Sequence, residues 1–147
     1  MENKRKIDEY IPKAIDSLSK NTKIVKNGTI ASGFAGQIAT FSVAVSMGSL
    51  LSAVAFFSEQ KQAIVERQEL MNVIYEIITR EDLNTTKGSE PKLLAHVRKK
   101  YQETYKNKNI LEYRRFQQDI LNAAIAVKLA INFFQKVDKI EKTGEHE

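Results

Sequence analysis

Residues 27–58 read NGTIASGFAGQIATFSVAVSMGSLLSAVAFFS, and their reading decides the fold. These 32 positions carry no charge in a chain that is otherwise 28% charged, and they hold four of its six glycines, Gly28, Gly33, Gly36 and Gly48. A run this apolar must be hidden from water. It is either a membrane span or the packed interior of a helical domain. The window Ile38 to Phe57 has the length of a bilayer span, about 20 residues, and its small residues would suit helix packing in lipid. Against a span stand Thr40, Ser42, Ser46, Ser49 and Ser52 inside the window, and the absence of a clean aromatic or basic belt around it. Ser46-Met47-Gly48-Ser49 also reads as a break, with Gly48 closing one helix and Ser49 capping the next. The interior reading is preferred, because a second strongly apolar segment, Ala123 to Phe134, supplies a partner to pack against.

Outward from this stretch, the chain reads as helices separated by short breaks. A first helix is expected over Asn3–Lys26, with Ile7, Ile11, Ala14, Ile15 and Leu18 on one face. Pro12 suggests that its true start lies nearby, since proline is best tolerated in a first turn. Asn27-Gly28 is taken as its stop, with Thr29 capping a second helix that carries Ile30, Phe34, Ile38, Phe41 and Val45. A short third helix buries Leu50, Leu51, Val54 and Phe57. A fourth, from about Ala63 to Thr79, turns Leu70, Val73, Ile74 and Ile77 inward.

Arg80 to Pro91 is rich in turn formers and reads as a loop. A fifth helix spans Pro91–Lys106, and Asn107-Lys108-Asn109 breaks it. The last helix is expected over Ile110–Ile140. Its apolar positions from Tyr113 to Val137 recur three and four apart, and Ala123–Phe134 is apolar nearly all round, which implies burial on all sides. Ala123, Ala124 and Ala130 would be small because neighbouring helices pass close by. The expectation is an all-α protein: one domain over residues 1–147, a compact bundle of about six helices around a long apolar C-terminal helix, with 140–147 as a frayed tail.

Composition excludes several chemistries. Without cysteine there is no disulfide, thiol nucleophile or thiolate metal site, which fits a reducing, cytoplasmic setting. The basic N-terminus leads into amphipathic sequence rather than a signal-peptide core. The two histidines, His96 and His146, form no cluster with carboxylates of the kind that binds metal. The Arg-x4–6-His pattern of small helical ribonucleases needs an arginine at 89–91, where Ser89, Glu90 and Pro91 stand. The glycines of 28–36 match neither GxGxxG nor a lysine-serine-ended phosphate loop. No catalytic residue, metal or cofactor is expected.

Charge is unevenly placed. Between Lys92 and Arg115 eight basic residues face Glu103 and Glu112, a net of +6; between Glu59 and Glu90 seven acidic residues face four basic ones, a net of −3. Such asymmetry suits a polyanion on one side, although charge runs are also ordinary solvated helix faces. Lys20, Lys23 and Lys26 recur three apart beside the glycine-rich turn. Arg114 and Arg115 stand between Tyr113 and Phe116, where a guanidinium is held rigidly and suits phosphate. These five are the candidate phosphate-facing residues, with Lys99 and Lys100 as second choices.

Two segments together resemble one family. Met47 to Phe57 has the form small–Gly–x–Leu-Leu–x-x–Leu/Val-Ala-Phe, and Tyr113-Arg114-Arg115 opens a long apolar helix some fifty residues later. The pair, preceded by a basic helix, is similar to the small all-helical (fifth) subunit of the type III-B CRISPR Cmr effector complex, in order and spacing over nearly the whole chain. The second helix departs from that pattern in being richer in alanine, serine and glycine. The resemblance implies a non-enzymatic protein of antiviral defence. Its copies stack into a minor filament beside other Cmr-type subunits and face a guide RNA–target RNA duplex. Competing readings are the small subunit of another CRISPR effector, and a membrane-associated helical protein built on Ile38–Phe57.

Overall fold

The computed structural model describes residues 2–59, 67–79 and 91–137. Six helices and one small sheet occupy them: α1 (Glu2–Lys20), β1 (Val25–Lys26), β2 (Thr29–Ala31), α2 (Gly33–Met47), α3 (Leu50–Phe57), α4 (Arg67–Thr79), α5 (Lys92–Lys106), α6 (Ile110–Ile131) and β3 (Gln135–Val137). The fold is the expected compact helical bundle, with the sheet as an addition at one end.

The apolar run of 27–58 turns one side inward and leaves the other open, with Val43, Met47 and Phe56 exposed, and its break lies where the residues place it. The Gly48 N–H donates to the Ala44 carbonyl, and Ser49 accepts from the Ser52 N–H at the start of α3. The break divides Ile38–Phe57 between helices of 15 and 8 residues. No helix among the described residues is long and apolar enough to cross a membrane. Phe34, Ile38, Phe41 and Val45 form the inner face of α2, and Phe41 meets Phe57 of α3 edge to face at 5.3 Å. Arg67 of α4 covers the outer neighbour, Phe56, at 4.6 Å.

Helix α6 packs against α1, α2, α4 and α5. Ala123, Ala124, Ala126, Val127 and Ala130 are fully buried, and their short side chains let the neighbouring backbones approach. Burial is not complete around the helix, however. Ile125, Lys128 and Leu129 are exposed, so the apolar girdle has one open side.

Three expectations fail at one place. The first helix ends at Lys20, not Lys26. Asn21 closes it: its carbonyl accepts from the N–H groups of Ile24 and Val25, and its side-chain oxygen from that of Lys23. Ile24 and Val25 then point into the core. Second, Asn27-Gly28 is not a helix stop but a hairpin turn. Both residues have positive φ, 54° and 77°, and they join β1 to β2 with Val25 opposite Ile30 and Lys26 opposite Thr29. A two-residue turn with left-handed geometry at both positions matches the right-handed twist of paired strands, and Asn-Gly supplies it with the least strain. Thr29 and Ile30 are therefore strand residues, so Thr29 caps no helix and Ile30 is not on the face of α2, which begins at Gly33; the Thr29 hydroxyl donates to the Lys26 carbonyl at 2.6 Å. Third, α6 stops at Ile131 rather than Ile140. The chain turns at Asn132–Phe134, and β3 pairs in parallel with β2 (Thr29 with Gln135, Ala31 with Val137). Residues 138–140 lie outside the described residues, as do 63–66 of the expected fourth helix, the loop at 80–90 and the tail.

Pro12 sits inside α1 rather than at its start. It is exposed, so the carbonyl it leaves without a backbone donor lies on the solvent side. The opposite face, Tyr10, Ala14 and Leu18, holds both halves of the helix to the core.

Candidate nucleic-acid interface

The candidate basic residues occupy two ends of the molecule. Helices α1 and α6 feed β1 and β3 of the same sheet at their C-terminal ends, and their N-terminal halves line one cleft, so they run in the same direction. Lys20, Lys23 and Lys26 lie at the sheet end. Only Lys20 is helical; Lys23 is in the turn and Lys26 in β1, so their spacing of three has no helical meaning. Lys20 pairs with Asp16 at 3.2 Å and Lys23 with Glu69 at 3.7 Å, both lysines remaining well exposed. Lys26 is exposed and has no ion pair among the described residues.

Arg114, Arg115, Lys99 and Lys100 lie at the other end, around the start of α6 and the middle of α5. Asn109 positions the start of α6: its side-chain oxygen accepts from the Glu112 N–H at 3.1 Å, and its amide donates to the Glu112 carboxylate at 3.0 Å. This places Tyr113 inward and Arg114 and Arg115 outward, which explains the alternation of one buried ring and two exposed guanidiniums. Lys99 is exposed. Lys100 is half-buried, 3.4 Å from the Glu112 carboxylate and over the Phe116 ring at 5.5 Å. From Arg115 to Ile131 the helix rises about 24 Å at 1.5 Å per residue. The two groups are therefore separate patches, not one continuous face.

Arg115 also borders an open cleft of about 630 Å³ between α1, α5 and α6. Lys6 and Lys100 line it, but so do Glu2, Glu112 and Asp119. Asp119 accepts a hydrogen bond from the Tyr10 hydroxyl at 2.7 Å. With charges of both signs balanced in its wall, the cleft is not a phosphate pocket.

Two features of this end were not singled out in the sequence. Lys106 and Lys108 are exposed beside the α5–α6 turn, where Lys108 takes a positive φ of 55°. A row of rings also follows the α5–α6 seam. His96 sits edge-on between Tyr75 and Phe116; Tyr113 follows, and Tyr101 and Tyr105 close the row. His96 is thus a half-buried member of an aromatic row. The signal that could have found the row is the spacing of Tyr101 and Tyr105, four apart on one face of a helix. Burial, then the nearby Tyr105 and Tyr101 hydroxyls, raises the Tyr113 pKa above 10.0, so its phenol stays neutral. Among the described residues no group of three or more histidine, aspartate or glutamate side chains gathers to hold a metal.

Compared with known proteins, the chain matches no family model, no curated sequence and no solved structure.

Proposed function

We propose that the chain is a non-catalytic, cytoplasmic subunit of an RNA-guided, RNA-targeting CRISPR effector complex of the Cmr type. In this reading it stacks with copies of itself and with other Cmr-type subunits, and it contacts the backbone of guide and target RNA. The observation that carries the reading is the pair of outward arginines, Arg114 and Arg115, fixed by the inward Tyr113 at the capped start of α6. Both family-like motifs also have physical work in this fold. In the first, Gly48 sits where a Cβ would lie 3.0 Å from the Ala44 carbonyl oxygen, and Leu50, Val54 and Phe57 are buried behind it. Basic patches near opposite ends of α6 suit a long polyanion, which offers phosphates to both, better than a small ligand. Exposed apolar side chains, Met47 at 84% at the end of α2 and Phe133 at 68% in the turn before β3, offer surface for neighbouring subunits. The membrane-associated alternative is weakened by the break at Gly48.

Sequence selection would rest with the guide, leaving the protein only backbone contacts. The test is target-RNA affinity of the reconstituted complex over a salt series, wild type against a variant with Lys20, Lys23, Lys26, Arg114 and Arg115 changed to alanine. The variant should assemble, bind more weakly, and lose roughly 0.7–0.9 of the logarithmic salt slope for each phosphate contact removed. Lys26, Arg114 and Arg115 should account for most of the loss, because Lys20 and Lys23 already face carboxylates. Equal affinities and equal slopes would refute the RNA-facing assignment. Co-purification with a guide-RNA complex, and the identity of the other subunits, separates the Cmr reading from another CRISPR effector.

A further inference from the structure

The end of the bundle at the α5–α6 turn combines three things: a cluster of tyrosines whose rings pack at inclinations of 45–74°, an exposed outer ring, and cations on the flanking positions. Tyr101 and Tyr105 are successive residues on one face of α5, with ring centroids 4.3 Å apart. Tyr113 backs both from α6, at 5.5 Å and 5.9 Å. Tyr113 is buried, at 8% exposure, Tyr101 is half-buried, and Tyr105 is 47% exposed. The outer ring is therefore seated on a fixed base, and holding it against a flat ligand costs little further conformational entropy. Exposed Ile110 and Leu111 adjoin it at the start of α6. Lys106, Lys108 and Arg114 surround it in the chain; all three are exposed, and none has an ion pair among the described residues.

We infer that Tyr105 is a stacking platform for an unpaired nucleobase of single-stranded RNA, with Lys106, Lys108 and Arg114 holding the adjacent phosphates. The inference rests on the RNA reading above and adds to it a contact that a duplex backbone does not offer. A single strand presents a π face and a negative charge at every nucleotide, and an aromatic ring among cations matches both without reading sequence. An apolar protein partner would match Tyr105, Ile110 and Leu111 but would leave three desolvated cations to compensate. A paired base inside a helix has no free face to offer, so the preference should be for unpaired RNA.

The chain reports on this end by itself. It has no tryptophan and five tyrosines, of which Tyr101, Tyr105 and Tyr113 are in the cluster, so tyrosine emission is weighted toward it. The full chain is titrated at low salt with single-stranded oligouridine, with an abasic ribose-phosphate strand of equal length, and with duplex RNA. Oligouridine should quench the emission and bind on the order of tenfold more tightly than the abasic strand. Tyr105→Leu should abolish that difference while leaving abasic binding unchanged; Tyr105→Phe, which keeps the ring, should retain it. Thermal unfolding by circular dichroism checks that the variants fold. The comparison of the two strands on wild type needs no variant at all. Equal affinity for native and abasic strands would overturn the stacking site while leaving the phosphate contacts standing, and would give Tyr105, Ile110 and Leu111 to a protein partner. Absence of binding to all three RNAs would overturn both the stacking site and the RNA-facing assignment for the isolated chain.

Discussion

The α2–α3 junction and the sheet end are built from the same kind of sequence, yet only the first behaves as its local pattern dictates. Both contain a glycine at a boundary. At Gly48 the decisive partners are within four residues: the Ala44 carbonyl behind it and the Ser49–Ser52 cap ahead. At Gly28 the decisive partners are β2, which pairs back onto β1, and β3, which arrives from more than a hundred residues away. A helix boundary is settled by neighbours in sequence; a strand exists only when another strand is beside it. Nothing in the apolar periodicity of 110–140 distinguishes a helix running on from one that stops at Ile131 to complete a sheet.

The contrast can be pressed by substitution. The largest effect is expected at the junction's core. Phe41→Ala removes the ring packed edge to face on Phe57, and should lower unfolding stability by about 3–5 kcal/mol in denaturant titration. A loss below about 1 kcal/mol would mean that α2 and α3 are not locked together there. Next, Ala130→Leu adds bulk where α6 is fully buried and should overpack it, costing about 1–3 kcal/mol. An unchanged melting temperature would place that face in the open, with Ile125 and Leu129.

The smallest effects separate the two glycines. Gly28 has φ of +77°, and a methyl group added there would meet nothing within 4 Å, so Gly28→Ala is opposed by backbone conformation alone, at about 1–2 kcal/mol. Gly48 has a φ of −129°, outside the left-handed region, and Gly48→Ala is opposed by the 3.0 Å approach of the added Cβ to the Ala44 carbonyl. It should cost less, about 0.5–1 kcal/mol, since a small shift relieves the contact. Reversed magnitudes in paired melting curves would mean that the hairpin turn contributes less to stability than the helix break.

The candidate site is legible in part for the same reason. Arg114 and Arg115 stand out in the sequence because a helix start is a local event, with Tyr113 one step away to face inward. Lys20, Lys23 and Lys26 look like a helical stripe because a spacing of three fits a helix, whereas the Asn21 turn ends α1 at Lys20 and places Lys26 in β1. The tyrosine row is legible only as far as Tyr101 and Tyr105, four apart on α5; that Tyr113 of α6 joins them is a contact across two helices, with no signature in either alone.

By itself the sequence determined the break at Gly48, the inner faces of α2 from Phe34 onward, of α3 and of α4, and the division of α5 from α6. Each follows from apolar spacing and from hydrogen bonds that close within one turn. The expected burial of all of 27–58 holds for one side only, since Val43, Met47 and Phe56 are exposed. Only the tertiary structure decided that β3 joins the hairpin of 25–31, that α6 yields to β3, that one side of α6 stays open, and that the basic residues form two patches. Those outcomes depend on contacts between distant segments. Their free energy is gained only after the chain has lost the entropy of bringing those segments together, a balance that no local window contains.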